Sequence, residues 1–207
     1  MTAAPAPSST RMERKKEETR QKIIAAAVSL FNQHGLAQTT MEQIAQAADI
    51  AKGTLYAYFP LKEAIIVAYL QSTFEARSPQ RIQQLRALPN TRARLHLIFA
   101  DLVAGVQRQK DIFEMYMLYR VRSLLSFQPD ERLKSGLSLL GEEILRLGRQ
   151  TGEIRADWPP MLVEDLFEFC LIEVIKQFYL APAAFQAETA IAQAVELFLQ
   201  AVRPAQA

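Results

Sequence analysis

The chain has 207 residues, half of them apolar, with 24 Lys and Arg against 22 Asp and Glu for a formal charge of +2. That length holds one larger domain, or a small one beside a medium one, and the apolar share suffices for a packed core. No apolar run reaches transmembrane length, the N-terminus lacks a signal-peptide core, and the single cysteine, Cys170, excludes an internal disulfide, so the expected setting is soluble and cytoplasmic.

Residues 1–10 are mostly Ala, Pro, Ser and Thr and read as a disordered tail. From about Arg11 the pattern turns helical. Ile23, Ile24, Ala27, Val28 and Phe31 recur at helical spacing, and Gly35 supplies a stop. Thr40 with Gln43 three residues on makes a capping box, which opens a short helix through Ile44 to Ala48. Asp49 and Ile50 form a turn, and a second short helix runs from Ala51 or Lys52 to Tyr58, broken by Pro60. Further helices are expected near 61–77, 79–88, 91–108, 111–126, 130–150, 160–180 and 184–202. Ser78-Pro79, Pro89-Asn90 and Gln128-Pro129-Asp130 act as stop-and-restart signals. No segment alternates with period two. The expected fold is all-α: a helix-turn-helix domain over residues 11–62 and a helical body over 63–207, with about nine helices in all.

Charge is uneven along the chain. Residues 1–62 hold eight Lys and Arg against five Asp and Glu, which suits a polyanionic partner. Within that stretch, two short helices joined by a tight turn follow a longer supporting helix. In this arrangement the second short helix enters the DNA major groove and the first crosses the backbone. The second helix reads Lys52-Gly53-Thr54-Leu55-Tyr56-Ala57-Tyr58-Phe59. Leu55 and Phe59 share one face and can pack on Ile23, Phe31, Ile44 and Ala45, leaving Lys52, Gly53, Thr54, Tyr56 and Tyr58 outward. Cationic, hydroxyl and aromatic groups on so short a helix suit phosphates and base edges, and Gly53 lets backbone lie close to DNA.

Residues 20–65 resemble the DNA-binding domain of the TetR (tetracycline repressor) family. The resemblance is carried by Ile23-Ile24-Ala25-Ala26-Ala27, Leu30-Phe31, Gly35, Thr39-Thr40-Met41 with Ile44-Ala45, and above all by Lys52–Phe59 with Lys62-Glu63. It implies that Thr40 contacts phosphate, that Lys52 and Gly53 approach the bases, and that Thr54, Tyr56 and Tyr58 touch phosphates or a base edge. It also implies a phosphate contact for Lys62. Three positions depart from the family pattern. Asp49 replaces the usual turn glycine, Ala51 replaces a serine cap, and Leu61 replaces a polar cap.

In the body, apolar residues cover nearly the whole circumference of 160–180, so that helix is expected to be buried on several sides. Ile191, Val195, Phe198 and Val202 form a stripe on the last helix. With Ile172 and Ile175 they are the expected homodimer interface, and the resemblance implies a four-helix interface from the last two helices of each copy. Phe99, Met115, Tyr116, Tyr119, Phe127, Phe167, Cys170 and Phe178 are the expected lining of a pocket for a small hydrophobic inducer, aromatic or acyl, with Glu114, Arg120, Arg122 and Glu168 available to orient a polar group. His34 and His96 have no ligand partners at metal spacing, and no catalytic constellation is present, so neither a metal, a cofactor nor an enzyme activity is expected. The sequence therefore points to a DNA-binding regulator. The leading form is a homodimeric repressor released from double-stranded palindromic operator DNA by its inducer. The alternative is a constitutive DNA-binding dimer whose body serves only dimerisation or partner binding.

Overall fold

The structure is a computed structural model that describes residues 11–124 and 136–204. Among the described residues it contains nine helices and no strand. In chain order they are α1 (Arg11–His34), α2 (Met41–Ala47), α3 (Lys52–Tyr58), α4 (Lys62–Ala87), α5 (Thr91–Arg108), α6 (Lys110–Leu124), α7 (Gly136–Gln150), α8 (Pro160–Leu180) and α9 (Ala187–Val202). Two compact units divide the chain, Met1–Tyr69 and Leu70–Ala207, with the boundary inside α4. The expected tail over 1–10 lies outside the described residues.

In the first unit, α1 packs on α2 and α2 on α3. Their apolar faces meet as the periodicity requires: Ile23, Ala27, Ile44 and Leu55 are wholly enclosed, with Phe31, Ala45 and Phe59 nearly so. Gly35 ends α1 at φ 79°, and its N–H donates to the Phe31 carbonyl at 3.0 Å. Glycine reaches this left-handed conformation without a Cβ clash. The buried Thr39 hydroxyl then returns to the Gly35 carbonyl at 2.9 Å, closing the connection to α2.

The expected break at Ser78-Pro79 does not occur, because α4 runs through Pro79 to Ala87. Proline removes one backbone donor within the helix. Beside it, the Ser78 hydroxyl donates to the Phe74 carbonyl at 2.7 Å, and Leu70, Ser78 and Leu85 are buried in the second unit. Burial along the helix outweighs the local disruption.

The second unit has its core where α5, α8 and α9 meet, with α7 against α5 and α8. Phe99 of α5 tilts on Phe167 of α8 at 5.7 Å between ring centroids, and Phe167 meets Phe198 of α9 edge-on at 6.4 Å. All three rings are buried. One corner of the unit is held by polar groups. Buried Arg94 donates to the carbonyls of Leu85 at 3.0 Å and Leu88 at 2.9 Å, satisfying the end of α4. Glu153 accepts from the Thr91 backbone N–H and from the Thr151 hydroxyl, both at 2.6 Å, satisfying the start of α5. Gly148 passes so close to this corner that a Cβ would lie 2.5 Å from Ile154 and 2.7 Å from the Thr91 hydroxyl oxygen.

On α7, Glu143 accepts from Arg86 at 2.7 Å and from Arg146 at 2.8 Å. The Arg146 hydrogen bonds, with those of Arg86, hold this nearly buried carboxyl at about 2, down from its ordinary 4.5, against the opposing effect of burial. A carboxyl depressed in the folded chain stabilises it above the unfolded value, and that contribution disappears as pH falls toward the folded value. Glu143→Gln is expected to cost about 1–2 kcal/mol at neutral pH. The gap to wild type should close as pH drops from 4.5 toward 2. Urea titrations of both proteins across that range check this, and a gap that persists unchanged in acid refutes it.

Candidate nucleic-acid interface

The exposed side of α2 and α3 gathers most of the residues that the sequence singles out. Thr40 caps α2 in extended conformation. Its hydroxyl accepts from the Gln43 N–H at 3.2 Å, and its own N–H donates to the Gln43 side chain at 2.8 Å, so the capping box forms. The turn that follows is a Schellman motif. The Asp49 N–H donates to the Gln46 carbonyl at 3.0 Å and the Ile50 N–H to the Ala45 carbonyl at 3.1 Å. Asp49 sits at φ 50°, the left-handed geometry that a glycine would adopt there and that Asp tolerates better than most residues.

Beyond the turn, Ala51 caps α3 with no side-chain hydrogen bond, so the first turn of this helix lacks the acceptor that a hydroxyl would give. Lys52, Gly53, Thr54 and Tyr56 are exposed and Tyr58 half-buried, while Leu55 between them is enclosed. A Cβ built at Gly53 meets nothing within 4 Å. Lys52 pairs with Glu42 of α2 and lies 6.0 Å from the centre of the Tyr56 ring. Glu42 is held below the usual carboxylate range, first by the Lys52 hydrogen bond and then by its own backbone N–H, with the Thr40 hydroxyl adding to them. Lys52 is raised in turn by Glu42.

Lys62 is placed differently from the other cations. Its ammonium donates to the Leu36 carbonyl at 2.8 Å and the Thr39 carbonyl at 3.3 Å. Two of its three hydrogens thus fasten the α1–α2 connection that carries Thr40, and one is left for an outside acceptor. Sequence spacing gave no sign of this, because its partners lie 26 and 23 residues back. Glu42 also went unnoticed among the sequence candidates, although Glu42 with Lys52 ten residues on, across a helix-turn-helix, is a readable signal.

In the second unit, four of the expected pocket residues, Phe99, Tyr116, Phe167 and Cys170, are buried, while Met115 and Phe178 are half-buried. Burial pushes the Cys170 thiol up to about 11, so it stays protonated and acts as a small hydrophobe. Phe127 and the Tyr119, Arg120 and Arg122 side chains lie outside the described residues, and Glu114 is exposed. Away from this set, an open groove of about 400 Å³ runs between the end of α8 and the start of α9, lined by Gln177, Leu180, Phe185, Gln186, Thr189 and Gln193.

The expected interface stripe is corrected by its burial. Ile175, Ile191, Val195, Phe198 and Val202 are all 2% exposed or less within a single chain, and Ile172 is half-buried. Their apolar faces are used up between α5, α8 and α9, so most of this stripe is core. The large apolar side chains left outward on these two helices are Met161, Leu162, Phe169, Leu180 and Leu197.

Residues 23–69 match the family model described as bacterial regulatory proteins, tetR family. The chain is 32% identical over 118 residues to the HTH-type transcriptional regulator HbdR of Aromatoleum sp. (strain CIB), covering 56% of this chain and 49% of that protein. It thus spans about half the length of that relative. It is 29% identical over 136 residues to the fatty acid metabolism regulator protein of Bacillus subtilis (strain 168), covering 64% of this chain and 69% of that one. A solved structure of Thermus thermophilus FadR, a transcriptional repressor in complex with lauroyl-CoA, superimposes with a TM-score of 0.63. Its identity to the chain is 28%, with 91% of this chain and 98% of that one covered.

The missing cap gives a direct test of the site's stability. Ala51→Ser is expected to stabilise the helix-turn-helix by about 1 kcal/mol by supplying an acceptor to the first turn of α3. Denaturant unfolding measures it, and an unchanged midpoint would show that α3 is not limited by its cap.

Proposed function

The chain belongs to the tetR family of bacterial regulatory proteins, and from that premise we propose that it is a homodimeric repressor that reads operator DNA with α3 and is released by a hydrophobic guest. The observation that carries the DNA-binding reading is Gly53. Glycine costs a helix roughly 1 kcal/mol relative to alanine. Here it is needed neither by packing, since a Cβ would meet nothing within 4 Å, nor by a positive φ. A requirement from outside the chain explains it, namely DNA backbone or bases approaching the start of α3. On this reading Lys52 and Gly53 face the bases, and Thr40, Thr54, Tyr56 and Tyr58 contact phosphates or a base edge. Lys62 positions Thr40 and spends its remaining hydrogen on phosphate.

The surface we assign to the partner copy is the exposed stripe Leu162, Phe169 and Leu180, at i, i+7 and i+18 on α8. Exposed apolar side chains in register along one helix face suit a second chain. A twofold dimer requires an inverted repeat with half-sites about one helical turn apart or somewhat more. An inverted-repeat duplex selected from a random pool is expected to bind at least about tenfold more tightly than its half-site. Phe169→Asp is expected to give a monomer without that preference while leaving the buried core intact. Equal affinity of the wild-type chain for the two duplexes, measured by fluorescence anisotropy, refutes the dimeric reading.

The guest enters the second unit among Phe99, Tyr116, Phe167, Cys170 and their neighbours, a lining that offers apolar surface and no thiolate. The match to Thermus thermophilus FadR, whose solved structure holds lauroyl-CoA, supports an acyl thioester as the ligand class. To act as a switch it must bind better to a state that cannot occupy both half-sites at once, because a guest bound equally by both states shifts nothing. A panel of acyl-CoAs and aromatic compounds, read by thermal shift and by operator release, is expected to yield acyl-CoAs active in both readouts. The closely packed Phe99–Phe167–Phe198 rings favour a second reading, a constitutive dimer. That reading prevails if no compound both stabilises the protein and releases DNA.

A further inference from the structure

We propose that Glu42 is a specificity-determining residue that acts as an internal substitute for a DNA phosphate, holding Lys52 away from random-sequence DNA. The inference rests on α3 being the DNA-reading helix and goes beyond it. It starts from two placements. Glu42 and Lys52 lie on different helices, α2 and α3, and meet across the turn. Lys52 sits 6.0 Å from the centre of the Tyr56 ring, so carboxylate and ring both bear on one ammonium. One anion thereby engages Lys52, a group assigned to DNA, as a backbone phosphate would.

The consequence differs between two kinds of DNA. On random sequence a base-edge acceptor meets Lys52 only by chance, and binding rests on phosphates. A phosphate that shares the ammonium with Glu42 brings two anions together, and one that displaces Glu42 leaves the carboxylate beside a polyanion. A correct site offers neutral acceptors on base edges. An ammonium has three donors, so Lys52 can reach such an acceptor while keeping Glu42. The pair therefore weakens phosphate attraction and leaves base readout intact, which raises the ratio of specific to random binding. It also fixes where Lys52 starts from, since the long flexible stem would otherwise sweep a wide arc.

The test uses the full chain with two duplexes, one selected from a random pool by the wild-type protein and one of scrambled sequence. Glu42→Gln keeps the shape and removes the charge, and Glu42→Ala removes both. Thermal melts report folding of each. For either folded variant, affinity for the scrambled duplex is expected to rise about 2- to 5-fold. The salt dependence of that binding should steepen by about one phosphate contact, and the selected duplex should gain less. In a Lys52→Ala background the same substitutions are expected to change nothing further.

Three results overturn the proposal. One is a scrambled-duplex affinity unchanged or lowered in the Glu42 variants. Another is an equal gain on both duplexes. The third is an undiminished gain in the Lys52→Ala background, which would mark a general charge effect. Failure of the wild-type chain to bind any duplex would instead defeat the DNA-reading assignment of α3, so the two failures are distinguishable.

Discussion

The left-handed backbone at Asp49 is the constraint on which the site depends. The Schellman bonds from Asp49 and Ile50 end α2 and set the direction in which α3 leaves it. Once that direction is fixed, Leu55 and Phe59 fall inward and Lys52, Gly53, Thr54 and Tyr56 face out. A β-branched residue at this φ of 50° would strain the turn and tilt every one of those side chains together. Other fastenings support the same geometry. The Thr40–Gln43 capping box starts α2, and Lys62 ties the carbonyls just ahead of it. Thr39 closes back on Gly35. The turn is therefore well fastened on its α2 side, while on its α3 side Ala51 leaves the helix without a side-chain cap.

The second unit is organised on a different principle. Its helix ends are satisfied by buried or half-buried charge, Arg94 for α4 and Glu153 for α5, whereas its middle is aromatic and aliphatic. A hydrophobic guest inserted among Phe99, Phe167 and Phe198 would act on the part held by nondirectional packing. The polar corner, held by directional bonds and by the tight pass at Gly148, would resist distortion. Interiors are close-packed and repack between discrete arrangements rather than deforming smoothly. A unit that is rigid at one corner and adaptable at its centre is suited to conversion between two states.

Much of the site was legible because its chemistry is local. A capping box spans three residues, the Gly35 stop and the Asp49 turn each involve about one helical turn, and α3 shows its inward face through two apolar residues four apart. The parts that escaped depend on distance or on competition. Pro79 breaks a helix when considered alone. It does not break α4, because Ser78 bonds back at Phe74 and the helix is buried on either side of the proline. Periodicity finds the apolar stripe of α9 correctly but cannot say which chain covers it, and α5 and α8 of the same chain do. For α8 the same ambiguity ran the other way. Its circumference is almost wholly apolar, so no stripe stood out, and only the fold separates inward Phe167 from outward Phe169.

Four of the eight cations of the first unit follow a common pattern. Lys22 faces Asp49 at 3.8 Å, Lys52 pairs with Glu42, Lys62 is bound to loop carbonyls, and Arg20 lies near Glu17 and over the Phe59 ring. Asp49 thus both forms the turn and faces a lysine. A basic head is normally credited with attraction to polyanions, yet these cations already have partners inside the chain. Exposed pairs of this kind contribute little to stability, so their effect is better sought in what they withhold. Because random DNA vastly outnumbers any operator, a protein gains more by weakening its attraction to every phosphate than by strengthening one contact. On the proposed reading, affinity for the right site comes from Lys52 reaching a base edge while still paired, and from groups that carry little or no charge, the Thr54 hydroxyl, the Tyr56 and Tyr58 rings and the open backbone at Gly53, for which shape and hydrogen-bond geometry decide the fit.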